Sequence, residues 1–257
     1  MKLNYKKINE VGQPLVILHG VFGSLDNWAT VSKSIADLGY VVYLVDQRNH
    51  GRSPHSDEFD YDVMAADLAE FIADHALQNP VLVGHSMGGK TVMQYAQTHP
   101  GAYDKLVIVD IGPKPYPPHH NELIAGLNAL PLAEIESRQQ ADELFSAYEP
   151  NLGVRQFLLK NLYRNDAGSY GFRFNLPVLN ALQANFGAEI PKLRTITEPT
   201  LFVRGALSRY IKEEDWPEIL EMFPHAELVE IPKAGHWVHA EQPTRFVEAL
   251  GEFLKKG

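Results

Sequence analysis

The chain has 257 residues, 45% of them apolar, a formal net charge of -9 and no cysteine. That length suits a single α/β sheet carrying an insertion, and the acidic balance without any Lys/Arg run argues against nucleic acid or an anionic membrane surface as a partner. The lack of cysteine excludes a disulfide framework, a thiolate nucleophile and a Cys-based metal site, and with no apolar signal-type core in Met1 to Lys7 a cytoplasmic protein without membrane insertion is expected.

Residues from Leu3 to about Glu10 suit a short antiparallel edge strand before a stronger apolar strand at Leu15 to Leu18, which ends in His19-Gly20. Asp26-Asn27-Trp28 opens a helical stretch through Val31, Ile35 and Leu38 that Gly39 closes. Tyr40 to Val45 is a continuous β-branched and aromatic run, the pattern of a strand covered on both faces. A polar turn, Asp46 to Pro54, leads to a helix over Tyr61 to Leu77, with Met64, Leu68, Phe71 and Ile72 on one face. A strand through Pro80 to Val83, a helix from Met87 to about Thr98 and a strand from Lys105 to Asp110 complete an alternation that implies a parallel sheet with right-handed crossovers. Its ligand site is then expected at the carboxyl ends of the strands.

From Gly112 the pattern breaks, beginning with Pro113, Pro115, Pro117 and Pro118. Helices are expected near Glu122 to Leu130, Gln139 to Tyr148, Val154 to Tyr163 and Leu176 to Phe186, with no strand among them. The expected division is a core of residues 1–112 and 198–257 with a helical cap, 113–197, inserted in it. Leu123, Leu127, Phe145, Phe157, Leu158 and Leu162 supply apolar faces that would cover the catalytic edge. Sheet patterning returns at Pro199 to Gly205, followed by a helix from Glu213 to Met222, a strand from Glu227 to Ile231 and a last helix from Arg245 to Lys255.

Two motifs overlap where the strand ending near Val83 turns into a helix. Gly84-His85-Ser86-Met87-Gly88 fits G-x-S-x-G, a strained turn that exposes a serine hydroxyl above a sheet. Gly84 to Thr91 also fits the phosphate-cradling G-x-x-x-x-G-K-[ST] loop, for which Asp110 would be the magnesium-side acid. The serine reading accounts for more of the chain, because acyl transfer also needs an oxyanion-hole amide upstream, an acid and a late histidine. Val21, with Phe22 as the alternative, and Met87 are the oxyanion candidates, and His236 is the histidine that follows a glycine after the last strand.

The turn after the Leu201 to Val203 strand, a common place for the acid, reads Arg204 to Tyr210 without a carboxylate. Asp110 at the preceding strand end is therefore the expected acid, with Ser208 as a supporting hydrogen bond and Asp215 set aside on a helix. His85, the His119-His120 pair and His239 are expected to be bystanders, and no histidine pair suggests a metal site.

With these residues in place the chain resembles the α/β-hydrolase superfamily over essentially its full length. It is similar in particular to small bacterial esterases and thioesterases related to the mitochondrial abhydrolase-domain proteins. The resemblance rests on His19 to Ser24, Asp46 to Ser53, Gly84 to Lys90 and Gly235 to Ala240, and that group also places its acid at the position of Asp110 and a serine at that of Ser208. It implies hydrolysis of small-molecule acyl esters of short to medium length, and of acyl-CoA thioesters, without a cofactor. The same fold also carries ligand receptors that keep a triad, which turnover distinguishes from esterases.

Overall fold

The computed structural model describes residues 1–166 and 168–256. β1 (Tyr5–Ile8) and β2 (Gln13–Leu18) precede α1 (Ala29–Ala36), β3 (Tyr40–Val45), α2 (Tyr61–Asp74), β4 (Val81–His85), α3 (Met87–Thr98) and β5 (Lys105–Val109). After an inserted segment, β8 (Thr200–Gly205), α8 (Trp216–Met222), β9 (Ala226–Ile231), α9 (Val238–Glu241) and α10 (Pro243–Leu254) finish the chain. The seven strands lie in the order β1-β3-β2-β4-β5-β8-β9. β1 alone runs antiparallel, against β3. This is the expected mostly parallel sheet with its antiparallel edge.

The period of two along each strand divides the core between the faces. Val16, Leu18, Leu82, Leu106 and Ile108 join a cluster with Met64 and Leu68 of α2 and Val92 and Met93 of α3. Leu15, Ile17, Val81, Val83, Val107 and Val109 join a second cluster with Val31 and Ile35 of α1 and Phe246 and Leu250 of α10. Both faces are covered, which is why the central strands read as continuous apolar runs.

The insertion between β5 and β8 holds α4 (Asn121–Ala129), α5 (Arg138–Phe145), α6 (Leu152–Leu159) and α7 (Leu176–Ala181), near the expected helices. It also holds an unexpected hairpin, β6 (Leu162–Arg164) with β7 (Tyr170–Phe172), paired Leu162 to Phe172. Leu162 is therefore a strand residue rather than the end of a helix. Three-residue strands are too short to display a period of two.

Lys90 ties both stems of the insertion to the core. Its buried Nζ on α3 donates to the carbonyls of Pro113, at 3.2 Å, and Lys114, at 2.8 Å, on the incoming stem, and to that of Ala188, at 2.6 Å, on the outgoing one. These acceptors match the three N–H groups of an ammonium, and the Tyr116 ring centroid lies 5.1 Å away. Burial pulls its pKa down to about 7. Lys90→Met removes the donors and leaves the carbonyls buried without them, so an expected loss of about 1.5–3 kcal/mol should appear in urea unfolding. An unchanged midpoint would show that the stems are held by other contacts.

Candidate active site

The turn from β4 to α3 is set by close approach. A Cβ on Gly84 would stand 2.2 Å from the Gly88 carbonyl oxygen, and one on Gly88 would stand 2.5 Å from that of Leu18. No side chain fits at either position. Ser86 between them has φ 52° and ψ -117°, a strained conformation for a non-glycine residue that costs on the order of 1–3 kcal/mol. It is held there by its N–H to the Val109 carbonyl, 3.0 Å, and its own carbonyl accepting from the Lys90 N–H, 3.1 Å.

Asp110 follows β5 directly, with φ 53° and no solvent exposure. Its Oδ1 accepts the Gly205 N–H at 3.1 Å. Its Oδ2 accepts from His236 Nδ1 at 2.7 Å and from the Ser208 hydroxyl. A neutral His236 that donates from Nδ1 keeps its lone pair on Nε2, the form that accepts a proton. Ser86 and His236 line one cavity of about 390 Å³. The structure thus brings Ser86, His236, Asp110 and Ser208 together, whereas Asp215 is taken up elsewhere: it accepts from Lys114 Nζ at 2.6 Å and from the Lys212 N–H at 2.8 Å.

Of the oxyanion candidates, Val21 and Met87 stand beside Ser86 in a small adjoining pocket. The Phe22 N–H instead donates to His50 Nε2 at 3.1 Å. His50 in turn donates from Nδ1 to the Arg48 carbonyl at 2.9 Å. His19 is placed similarly, accepting the Gln47 N–H at Nε2, 3.0 Å, and donating from Nδ1 to the Gly20 carbonyl, 2.8 Å. Neither bracing role was expected of these histidines. The signal was the polar run after β3, since Asp46 also binds the Leu25 N–H, the Arg52 N–H and Asn4.

Three of the expected bystanders touch the site. His85 lines the cavity and donates from Nε2 to the His236 carbonyl, 2.9 Å, with the two ring centroids 4.7 Å apart. His119 and His120 also line it, and His119 Nε2 shares a hydrogen bond of 2.6 Å with the Tyr210 hydroxyl. Tyr210 stacks on the His236 ring at 4.0 Å. His239 is buried against Trp28, ring to ring at 3.9 Å. Of the apolar residues expected over the site, Leu123, Phe157 and Leu158 reach the cavity. Leu127, Phe145 and Leu162 are buried in the core cluster. Lys90, spent on backbone carbonyls, is not free to grip a phosphate, which removes the nucleotide-loop alternative.

Comparison with known proteins agrees with this architecture. Residues 13–243 match the family model described as alpha/beta hydrolase fold. The chain is 40% identical to the sn-1-specific diacylglycerol lipase ABHD11 of Danio rerio, over 94% of this chain and 78% of that one. It is 36% identical to esterase YbfF of Escherichia coli K12, over 99% of each. A solved structure titled "Marine microorganism esterase" superposes with a TM-score of 0.96 at 41% identity, covering 98% of this chain and 99% of that one. The chain belongs to the α/β-hydrolase family and is a hydrolase. Within that family it groups with esterases and lipases.

The buried histidines give the fold a defined acid limit. Burial pulls His19 down to about 4, His50 and His239 down to about 3, and His85 well below its ordinary value. Each stays neutral in the folded chain while the unfolded chain takes up a proton below about pH 6.5. The unfolded state therefore binds more protons, and stability falls as pH drops from about 6.5 toward 4, by up to about 1.4 kcal/mol per pH unit for each group. Urea unfolding at a series of pH values should display that slope; a flat stability between pH 6.5 and 5 would contradict it.

Proposed function

We propose that the protein is a serine carboxylesterase that acts through an acyl-enzyme on Ser86. The observation that carries this is the bond from His236 Nδ1 to the buried Asp110, on a histidine that shares one cavity with the strained Ser86. In the proposed cycle the Ser86 hydroxyl attacks the ester carbonyl and its proton passes to His236 Nε2. The oxyanion lies against the Met87 and Val21 amides, because the Phe22 amide is already bound to His50. As the tetrahedral species collapses, His236 returns the proton to the departing alcohol oxygen and the C–O bond breaks. Water, deprotonated by His236, then releases the acid and restores the Ser86 hydroxyl.

Asp110 holds the imidazole tautomer and stabilises the imidazolium, and Ser208 supports that carboxylate. The substrates proposed are small-molecule esters of short to medium acyl chains, and thioesters by the same steps with His236 returning the proton to the departing sulfur, so that a thiol leaves. The names of the Danio rerio and Escherichia coli relatives support the ester bond. Residues 113–197 act as a cap, since Leu123, Val154 and Phe157 from that segment line the cavity over Ser86.

A fluorophosphonate probe should label Ser86 and no other serine, and Ser86→Ala should lose both labelling and p-nitrophenyl ester hydrolysis. Labelling elsewhere, or undiminished activity in the variant, would overturn the assignment. Among the acids, Asp110→Asn should lower kcat by up to about four orders of magnitude, through the wrong imidazole tautomer. Ser208→Ala should cost on the order of ten-fold, the equivalent of one neutral hydrogen bond. Asp215→Asn should change kcat little; the reverse ranking in folded variants would move the acid to the later strand.

A further inference from the structure

The turn after β8 carries no carboxylate, yet two of its side chains reach the pair formed by Asp110 and His236. The Ser208 hydroxyl donates to Asp110, and the Tyr210 ring lies against the imidazole of His236, with centroids 4.0 Å apart and planes 21° from parallel. The backbone of Tyr210 is held on both sides: its N–H donates to the Ser208 hydroxyl oxygen at 3.2 Å, and its carbonyl accepts the Tyr116 hydroxyl at 2.7 Å. The far end of the ring is held too. His119 donates from Nδ1 to the Pro117 carbonyl at 3.0 Å, so its neutral ring offers the Nε2 lone pair, to which the Tyr210 hydroxyl donates at 2.6 Å. Burial pushes that hydroxyl up to about 12, so it keeps its proton at neutral pH.

Asp110 alone does not set the plane of the imidazole. The last side-chain torsion of a histidine has a broad preference, and one hydrogen bond at Nδ1 leaves the ring free to turn about the line from Nδ1 to Oδ2. A nearly parallel ring at 4.0 Å stops that turn, since tilting the imidazole would drive it into the tyrosine. His85 also meets the imidazole, at 4.7 Å, but at 45° and without an aligned face. The aromatic face has a second effect. A cation over it is attracted by the ring's electrons, so Tyr210 favours the imidazolium that forms when His236 takes the Ser86 proton.

On the basis of the serine-esterase assignment above, we propose that Tyr210 is a positioning residue for His236: its ring fixes the plane of the imidazole and stabilises the imidazolium, and its hydroxyl bond to His119 holds the ring in place. The effect falls on the steps in which His236 carries a proton, so it is read in kcat. Tyr210 also lines the cavity, and a residue that only shaped the wall would act on KM.

Steady-state hydrolysis of p-nitrophenyl acetate by the full chain tests this. Tyr210→Leu and Tyr210→Met remove the aromatic face, so kcat should fall about ten- to thirty-fold with KM within about three-fold of wild type. Tyr210→Phe keeps the face and loses only the hydroxyl bond to His119, so its kcat should stay within about five-fold of wild type. Urea unfolding shows which variants are folded, and the unbranched methionine, which adapts to irregular gaps, supplies a non-aromatic variant should Tyr210→Leu unfold. A folded non-aromatic variant with wild-type kcat, a change confined to KM, or a Tyr210→Phe as slow as Tyr210→Leu would overturn the proposal, while fluorophosphonate labelling of Ser86 would still uphold the esterase assignment. If Ser86 were not labelled, both would fall together.

Discussion

The Asp110 carboxylate is the contact on which the site depends. It lies at the end of β5 with no exposure and draws in three partners from distant parts of the chain: the Gly205 N–H at the end of β8, the Ser208 hydroxyl in the following turn, and His236 after β9. A buried carboxylate without such donors would be costly, and each donor satisfies part of its hydrogen-bonding capacity. Removing one partner therefore leaves part of the buried carboxylate's capacity unmet. The same carboxylate connects the middle of the sheet to His236, which shares a cavity with Ser86, so the parallel order β4-β5-β8-β9 brings these residues to one end of the sheet.

Around this centre, neutral histidines do work that charged ones could not. His50 accepts the Phe22 amide and His19 the Gln47 amide, which requires a lone pair on each Nε2. Full burial keeps both unprotonated, the direction in which desolvation pushes any imidazole. Because the Phe22 amide is held by His50, Val21 is the donor of this loop proposed for the oxyanion. His85 binds the backbone of His236 rather than its ring nitrogens, so it fixes the position of the loop without competing for the proton. The loop that carries Val21 and Phe22 and the loop that carries His236 are thus both braced by uncharged rings.

Much of this was legible in the sequence, for definite physical reasons. Strands covered on both faces announce themselves as apolar runs, so β2 to β5, β8 and the order of sheet and insertion could be read directly. The sharp turn at Ser86 was legible because steric crowding at Gly84 and Gly88 leaves only glycine there, and the pairing of Asp110 with His236 because the turn after β8 offers no carboxylate. The hairpin of β6 and β7 was not, since its strands are too short to carry a period. The roles of His19, His50, His85 and His119 were hidden for a different reason. Their partners are backbone groups or side chains from 28 to 151 positions away in most cases, and the polar run after β3 that holds His50 is the one local signal. Lys90 was misleading in the opposite sense, because a motif of local spacing suggested phosphate where the fold supplies three carbonyls.

The claim that Ser86 carries the acyl group while Asp110 sets the histidine that activates it is tested most directly by rapid-quench mass spectrometry with p-nitrophenyl acetate. The wild-type protein should gain one acetyl group, mapped to the peptide that contains Ser86, within the first turnover. Asp110→Asn should form the same adduct at the same residue, but slower by orders of magnitude. Acetylation at a different residue, or an adduct on Ser86 that forms as fast in Asp110→Asn as in the wild type, would contradict the account.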